Sequence, residues 1–193
     1  IVVANLPPTS PPVVAAPPPP AVVTTIAQIN TNSSATGSGC FTSEMKDTLV
    51  SVTGYVTGLD TYGFYMQDGT TAALNEGLYV YCSSLRQAML DARSVGEQVT
   101  VVGLVDEYYS LTELNLRTTA SPSVVSVSTG NTLVPLSTTT GAIGTGCTAD
   151  GEAHEGLLVT LSNVRIMSEP NNYGEISIDD GSGATQLEDS ILN

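Results

Sequence analysis

From Leu49 onward, apolar and polar residues alternate with a period of two. That spacing buries one face of a β-strand and leaves the other in water. Leu49 to Val56 predicts a first strand, Gly63 to Gln67 a second closed by the turn pair Asp68-Gly69, and Gly77 to Tyr81 a third. Residues 84–93 break the alternation: Leu85, Met89 and Leu90 share a helical face, so a short helix is expected. Gln98 to Val105 follows as a fourth strand, Ser110 to Arg117 as a fifth, and Val124 to Val127 as a closing edge. Three strands, a helix and two strands is the order of an OB-type Greek-key barrel.

The chain then partly repeats itself. Gly37-Ser38-Gly39-Cys40 returns as Gly144-Thr145-Gly146-Cys147, LVSVTG at 49–54 as LVTLSN at 158–163, and Tyr62-Gly63 with Asp68-Gly69 as Tyr173-Gly174 with Asp180-Gly181. TTIAQIN at 24–30 likewise faces TLVPLST at 132–138. The offsets of 107, 109, 111 and 112 drift as small loop insertions would make them. An offset of 112 sets Asn193 opposite Tyr81, inside the third strand, so the second copy stops before its helix and last two strands. Eight of the eleven prolines lie in residues 1–20, which predicts an extended, polyproline-like lead. The fold class expected is therefore all-β: tandem OB-like barrels, the first complete with one short helix and the second truncated, behind a proline-rich arm. Its divisions are an arm or linker at 1–23, a barrel at 24–130 and a partial barrel at 131–193.

Charge narrows the partners. Five basic residues against nineteen acidic ones leave −14, a field that repels phosphate backbones and disfavours nucleic acid. The aromatics that an OB barrel uses for stacking do gather in copy one: Tyr55, Tyr62, Phe64, Tyr65, Tyr79, Tyr81, Tyr108 and Tyr109. Glycans, which stack on tyrosine without a positive surface, stay open as partners. No apolar run reaches the ~18 residues of a membrane span. Scarce lysine, abundant serine and threonine and the proline-rich start point to a secreted or cell-surface protein. Asn32-Ser33-Ser34 is its N-glycosylation sequon, with Asn32 the acceptor.

Cys40 and Cys147 are repeat equivalents, and the equivalent of Cys82 would fall at 194. A bridge within copy one, Cys40 to Cys82, is the expected pairing, with three buried thiols or an interchain bridge from Cys147 as alternatives.

Catalytic patterns are weak. His154 stands alone, so no HExxH or histidine pair exists for zinc. Ser43-Glu44-Met45-Lys46 fits SxxK without its companion SDN and KTG elements. The chain carries no GxSxG elbow, no phosphate-binding loop and no dinucleotide fingerprint. These patterns predict a non-enzyme without a resident cofactor. Asp179, Asp180, Glu188 and Asp189 form an acidic group that could ligate calcium, although Asp180-Gly181 also reads as a hairpin turn.

Gly63-Phe64-Tyr65-Met66-Gln67-Asp68, the run Val95 to Gly103 (VGEQVTVVG) and Glu155-Gly156-Leu157-Leu158-Val159 together resemble a known module. It is the OB-fold-like repeat of secreted bacterial-type nucleases and multidomain extracellular surface proteins. The resemblance implies export and an accessory role, with catalysis in a separate downstream domain and no active-site residue here. Two functions follow as expectations. One is a structural or adhesive extracellular protein, a filament subunit if the N-terminal arm adds a strand to the open second barrel of another copy. The other is the accessory region of a secreted nuclease or phosphodiesterase.

Overall fold

The computed structural model describes residues 20–33 and 40–188. The arm ahead of Pro20, and with it strand donation between chains, falls outside the described residues, as does Asp189.

The predicted strands form where the alternation set them. Strands β1 (Val22–Thr24), β4 (Leu49–Leu59), β5 (Gly63–Gln67), β6 (Gly77–Tyr81), β7 (Gln98–Tyr108), β8 (Leu111–Asn115) and β9 (Ser123–Ser128) make one sheet in the order β1-β4-β5-β6-β8-β7-β9. Strand β4 also pairs antiparallel with β7, from Leu49 opposite Leu104 to Tyr55 opposite Gln98, which closes a five-stranded barrel. With β6 parallel to β8 and every other barrel pair antiparallel, the topology is OB-like. The edge at Val124 to Val127 is β9, antiparallel to β7, and the helical break at 84–93 is a 3-10 turn (Ser84–Arg86) leading into α2 (Gln87–Asp91).

Inward positions of β4 and β7 are Val50, Val52 and Val56 against Val99, Val101 and Val105, all buried with Phe64, Met66, Leu78, Val80 and Leu114. Gly54 and Gly103 interrupt those inward rows. A Cβ on Gly54 would stand 2.5 Å from Met66 Cε, and one on Gly103 2.8 Å from Leu116 Cδ2. Both positions therefore pack this closely only because the side chain is missing.

One end of the barrel is stoppered by α1 (Ile26–Ile29), whose Ile26 and Ile29 are fully buried. Thr25 caps it in a capping box with Gln28, and Asp68 accepts the first free N–H groups, from Ile26 (2.9 Å) and Ala27 (3.0 Å). A two-residue pair, β2 (Asn32–Ser33) with β3 (Thr42–Ser43), ties this end down.

Past β9 the chain repeats the same construction in smaller form. Strand β10 (Leu136–Ser137) lies parallel to β11 (Val159–Thr160) just as β1 lies on β4. Thr139 caps α3 (Thr140–Ile143), and Asp180 accepts from Thr140 N (3.2 Å) and Thr140 Oγ1 (2.9 Å), as Asp68 serves α1. Helix α4 (Ala149–Ala153) intervenes, then β12 (Arg165–Ile166), β13 (Ile176–Asp179) and β14 (Ala184–Leu187) form an antiparallel meander. Among the described residues these strands make a three-stranded sheet rather than a second closed barrel. The repeat alignment needs one correction. Residues 69–76 of copy one shrink to a tight turn, so Ala184 pairs with Asp179 as Gly77 pairs with Gln67, and the third strand arrives earlier than the constant offset predicts.

The cysteine pairing is also corrected. The disulfide is Cys40–Cys147, with Cα atoms 5.4 Å apart, and Cys82 is a free buried thiol. Cys82, the residue after β6, is buried in the core, and burial pushes its thiol up to about 12. Cys40 lies outside the barrel wall, its N–H on Ser110 Oγ, facing the second unit. The bridge therefore joins the two repeat equivalents instead of stitching one copy. Peptide mapping without reduction is expected to return a linked Cys40/Cys147 pair, with Cys82 alkylated only after denaturation. Removing a bridge that spans 107 residues is expected to cost about 2–4 kcal/mol, so Cys147→Ser should melt several degrees lower.

Candidate functional site

The outward face of β5, β6 and β8 carries the site. Core residues alternate there with Tyr65, with Tyr79 and Tyr81, and with Glu113 and Asn115. Register sets Tyr65 beside Tyr79 and Tyr79 beside Glu113 in one row, and Tyr81 beside Asn115 in the next. The Tyr65 and Tyr79 rings lie 4.9 Å apart, tilted at 47°. Gly63 keeps the adjoining position bare, and a Cβ there would run into the Tyr79 ring.

Two connections wall this face. The β4–β5 loop supplies Asp60 and Tyr62; Asp60 Oδ1 accepts from the N–H groups of Tyr62 and Gly63 at 2.7 Å, and Oδ2 accepts the Tyr79 hydroxyl at 2.9 Å. The β7–β8 hairpin supplies Tyr108 and Tyr109, stacked edge to face at 4.7 Å. Its two-residue loop, Tyr109-Ser110, has φ of +50° and +70°, a geometry that favours Asn and Gly and strains other residues. Tyr109 is 90% exposed at this tip. Between the walls is a cleft of about 500 Å³ lined by Asp60, Tyr62, Tyr65, Tyr79, Tyr81, Tyr108, Leu111, Glu113, Asn115 and Arg117. These are the strands and loops on which OB barrels hold oligonucleotides and oligosaccharides.

Electrostatics decide what the cleft suits. Glu113 is 3% exposed, makes no hydrogen bond to another described residue, and lines the cleft, where its carboxyl is left open to a partner. Burial, aided by Asp106 and Glu107, pushes it up to about 7. Asp60 on the wall accepts from three donors. Arg117 is the one cation on the walls. The cleft is thus an aromatic trough with one cation and one hydrogen-bonded carboxylate on its walls and the Glu113 carboxyl in its floor.

The remaining candidates are dispersed. Ser43 Oγ donates to Ile29 O, and Lys46 Nζ pairs with Asp106 at 3.0 Å, so Ser43-Glu44-Met45-Lys46 is a structural turn. His154 bonds at both ring nitrogens, to Thr138 Oγ1 and to Asp150 O. Of the calcium candidates, Asp179 and Asp180 serve turn and cap contacts, and Asp189 lies outside the described residues. Asp179 Oδ1 accepts from Gly181 N and Gly183 N, and Asp180 serves Thr140 and Ser182, whose bonds hold it down to about 2. Glu188 follows the far end of β14, roughly 13 Å along the strand, close enough to Tyr65 to raise its pKa. No group of three metal-ligating side chains occurs among the described residues. Asn32 points its amide nitrogen at Glu152 Oε1, 2.6 Å away, so a glycan there would displace that contact.

Sequence reasoning passed over Glu113 and Glu155. Glu155 lies beyond the cleft, where it accepts from Thr112 N at 3.2 Å; burial, with Glu152 and Glu107 adding repulsion, pushes it up to about 8. The signal available was its position in the repeat of EG-x-LV, which suggests packing rather than chemistry.

No protein-family model matches the chain, and no curated protein matches it. A solved protein from Leishmania major Friedlin, provisionally assigned as an aspartyl-tRNA synthetase, aligns over 79% of this chain and 28% of its own at 15% identity, with a TM-score of 0.39. Likeness at that level carries no functional weight. No helix among the described residues is long and apolar enough to cross a membrane.

The raised carboxyls make stability pH-dependent. Glu155 and Glu113 bind protons more tightly folded than unfolded, where such groups titrate near 4.5. Their contribution is therefore full at low pH and is lost as pH rises through about 7 and 8. Thermal melts are expected to fall by a few degrees between about pH 5 and pH 8.5. Glu155→Gln should flatten that slope, which a pH series on both proteins measures.

Proposed function

We propose that this protein is a non-catalytic extracellular adhesive module that holds a neutral sugar in the tyrosine cleft of its first barrel. The observation that carries the reading is the row Tyr65–Tyr79–Glu113, flanked by Tyr81 and Tyr108, in which tyrosine rings stand beside a carboxyl that opens on the cleft. Aromatic faces pack against the apolar faces of a sugar ring, while Glu113, Asn115 and Arg117 offer hydrogen bonds to its hydroxyls. A net charge of −14 argues against phosphate-bearing strands on the same face.

An exported setting is consistent with the Cys40–Cys147 bridge, since such bonds persist in oxidising compartments. Engagement of His154, Ser43 and Lys46 in structural contacts supports a binding role over a catalytic one. The resemblance to modules of secreted nucleases fits the same picture, because there the OB-like repeat is accessory.

Isothermal titration with maltose, cellobiose and chitobiose tests the reading. At least one is expected to bind with a Kd of about 0.1–1 mM, near the weak end of the affinity scale. Tyr81→Ala, at a half-exposed wall position, should weaken it about tenfold with little change in melting temperature. No binding by any neutral sugar, or tighter binding of single-stranded DNA at ~150 mM salt, would overturn it.

A further inference from the structure

A second cavity lies next to the cleft. It has a volume of about 730 Å³ and runs between the barrel and the second unit, along Tyr109 and Ser110, the Cys40–Cys147 bridge, Glu152 and His154 of the α4 end, Glu155 and Gln186 of β14. Tyr65 lines both cavities. The hairpin tip divides its two tyrosines between them, Tyr108 on the cleft side and Tyr109 on the groove side.

We infer that cleft and groove are one continuous binding track, crossing at Tyr65, for an extended neutral oligosaccharide whose far end is held by the second unit. This deepens the sugar-binding reading above and rests on it. The groove's polar groups are those of a hydroxyl-binding wall: Ser110, Glu152, His154, Glu155 and Gln186. Its walls carry no Lys or Arg, so an anionic polymer would meet only repulsion there. A cationic chain is disfavoured as well, because burial keeps Glu155 largely protonated near neutrality and Asn32 already occupies Glu152.

The strained tip supports the same conclusion. Positive φ at both Tyr109 and Ser110 is a cost that a hairpin avoids with Asn-Gly. Keeping a tyrosine there, 90% exposed and against the groove, is accounted for by contact with something that passes over it. Width is fixed by the disulfide, which anchors the second unit's wall to the barrel beside Ser110. One unit alone would present only the tyrosine cleft.

The test uses the full chain and compares the dimers maltose, cellobiose and chitobiose with their hexamers by titration calorimetry. For whichever series binds, the hexamer is expected to bind at least tenfold tighter than the dimer. Tyr109→Gly, which suits the positive φ, is expected to remove most of that gain. Gln186→Ala should act the same way, whereas Tyr108→Ala should weaken dimer and hexamer alike. Equal affinity for dimer and hexamer, or a hexamer gain untouched by Tyr109→Gly and Gln186→Ala, overturns the track while leaving the cleft as a sugar site. If no dimer or hexamer binds, both readings fall together.

Discussion

Barrel closure depends on one strand doing two jobs. Strand β4 is eleven residues long; its first part pairs with β7 and its last part with β5, the register shifting between Val56 and Gly58. Without that shift a single strand could not turn from one partner to the other, and the sheet would stay open with two bare edges. Gly54 and Gly103 let β4 and β7 pack closely over Met66 and Leu116. Everything on the outer face inherits this geometry. Tyr65, Tyr79 and Glu113 form a row only because β5, β6 and β8 are held in register round a closed wall.

The second unit is fixed to the barrel by backbone as much as by sulfur. Gly77 lies under the peptides of Glu155, Gly156 and Leu157, and a Cβ at Gly77 would collide with all three. Asn75 N donates to Ala153 O, Ala72 N to Val134 O and Val134 N to Thr70 O, so the segment between β5 and β6 is sewn to the second unit on both sides. Carrying Glu155 into this seam is electrostatically unfavourable when it ionises, since Glu152 and Glu107 already bear on it. The covalent bridge tolerates that repulsion, as a joint made of hydrogen bonds alone would not do so readily. Hence the two units can carry like charge at their junction and still present a fixed groove.

Much of the barrel was legible because the alternation of Val50, Val52 and Val56, and of Val99, Val101 and Val105, is governed by burial, which a period-two pattern expresses directly. The repeat was legible for a similar reason: Asp68 and Asp180 recur in sequence. What they do was not, since an Asp-Gly pair signals a turn, and nothing local shows that each carboxylate also receives the N-terminus of a helix some forty residues earlier. The cysteine pairing failed at the same point. Equivalence of Cys40 and Cys147 was visible, but which thiol faces the core is a matter of strand phase, and Cys82, the residue after β6, falls in the core. The tyrosines could be counted but not placed. Tyr109-Ser110 carries none of the turn residues that mark a two-residue hairpin, so the tip that separates the two cavities left no sequence signal.

Some departures from local rules fall on the walls of the cleft. The plug helices follow every rule: a threonine cap and a carboxylate on the free N–H groups, with Ile26 and Ile29 in the barrel and Thr140 buried in the smaller unit. The β7–β8 tip breaks them, with a non-glycine residue at each positive φ and an aromatic ring in water, and Glu113 turns a mostly buried side chain to the cleft. Asp47, Asn75, Ser83 and Asn163 also take positive φ away from the cleft, and Asn32 Oδ1, Gln67 Oε1, Arg93 Nε and Glu107 Oε2 are buried without a partner, so what sets the cleft face apart is the exposed aromatic ring at its rim rather than strain as such. The barrel, closed by β4 and stoppered by α1, holds the cleft face in place whether or not its residues favour their own conformations.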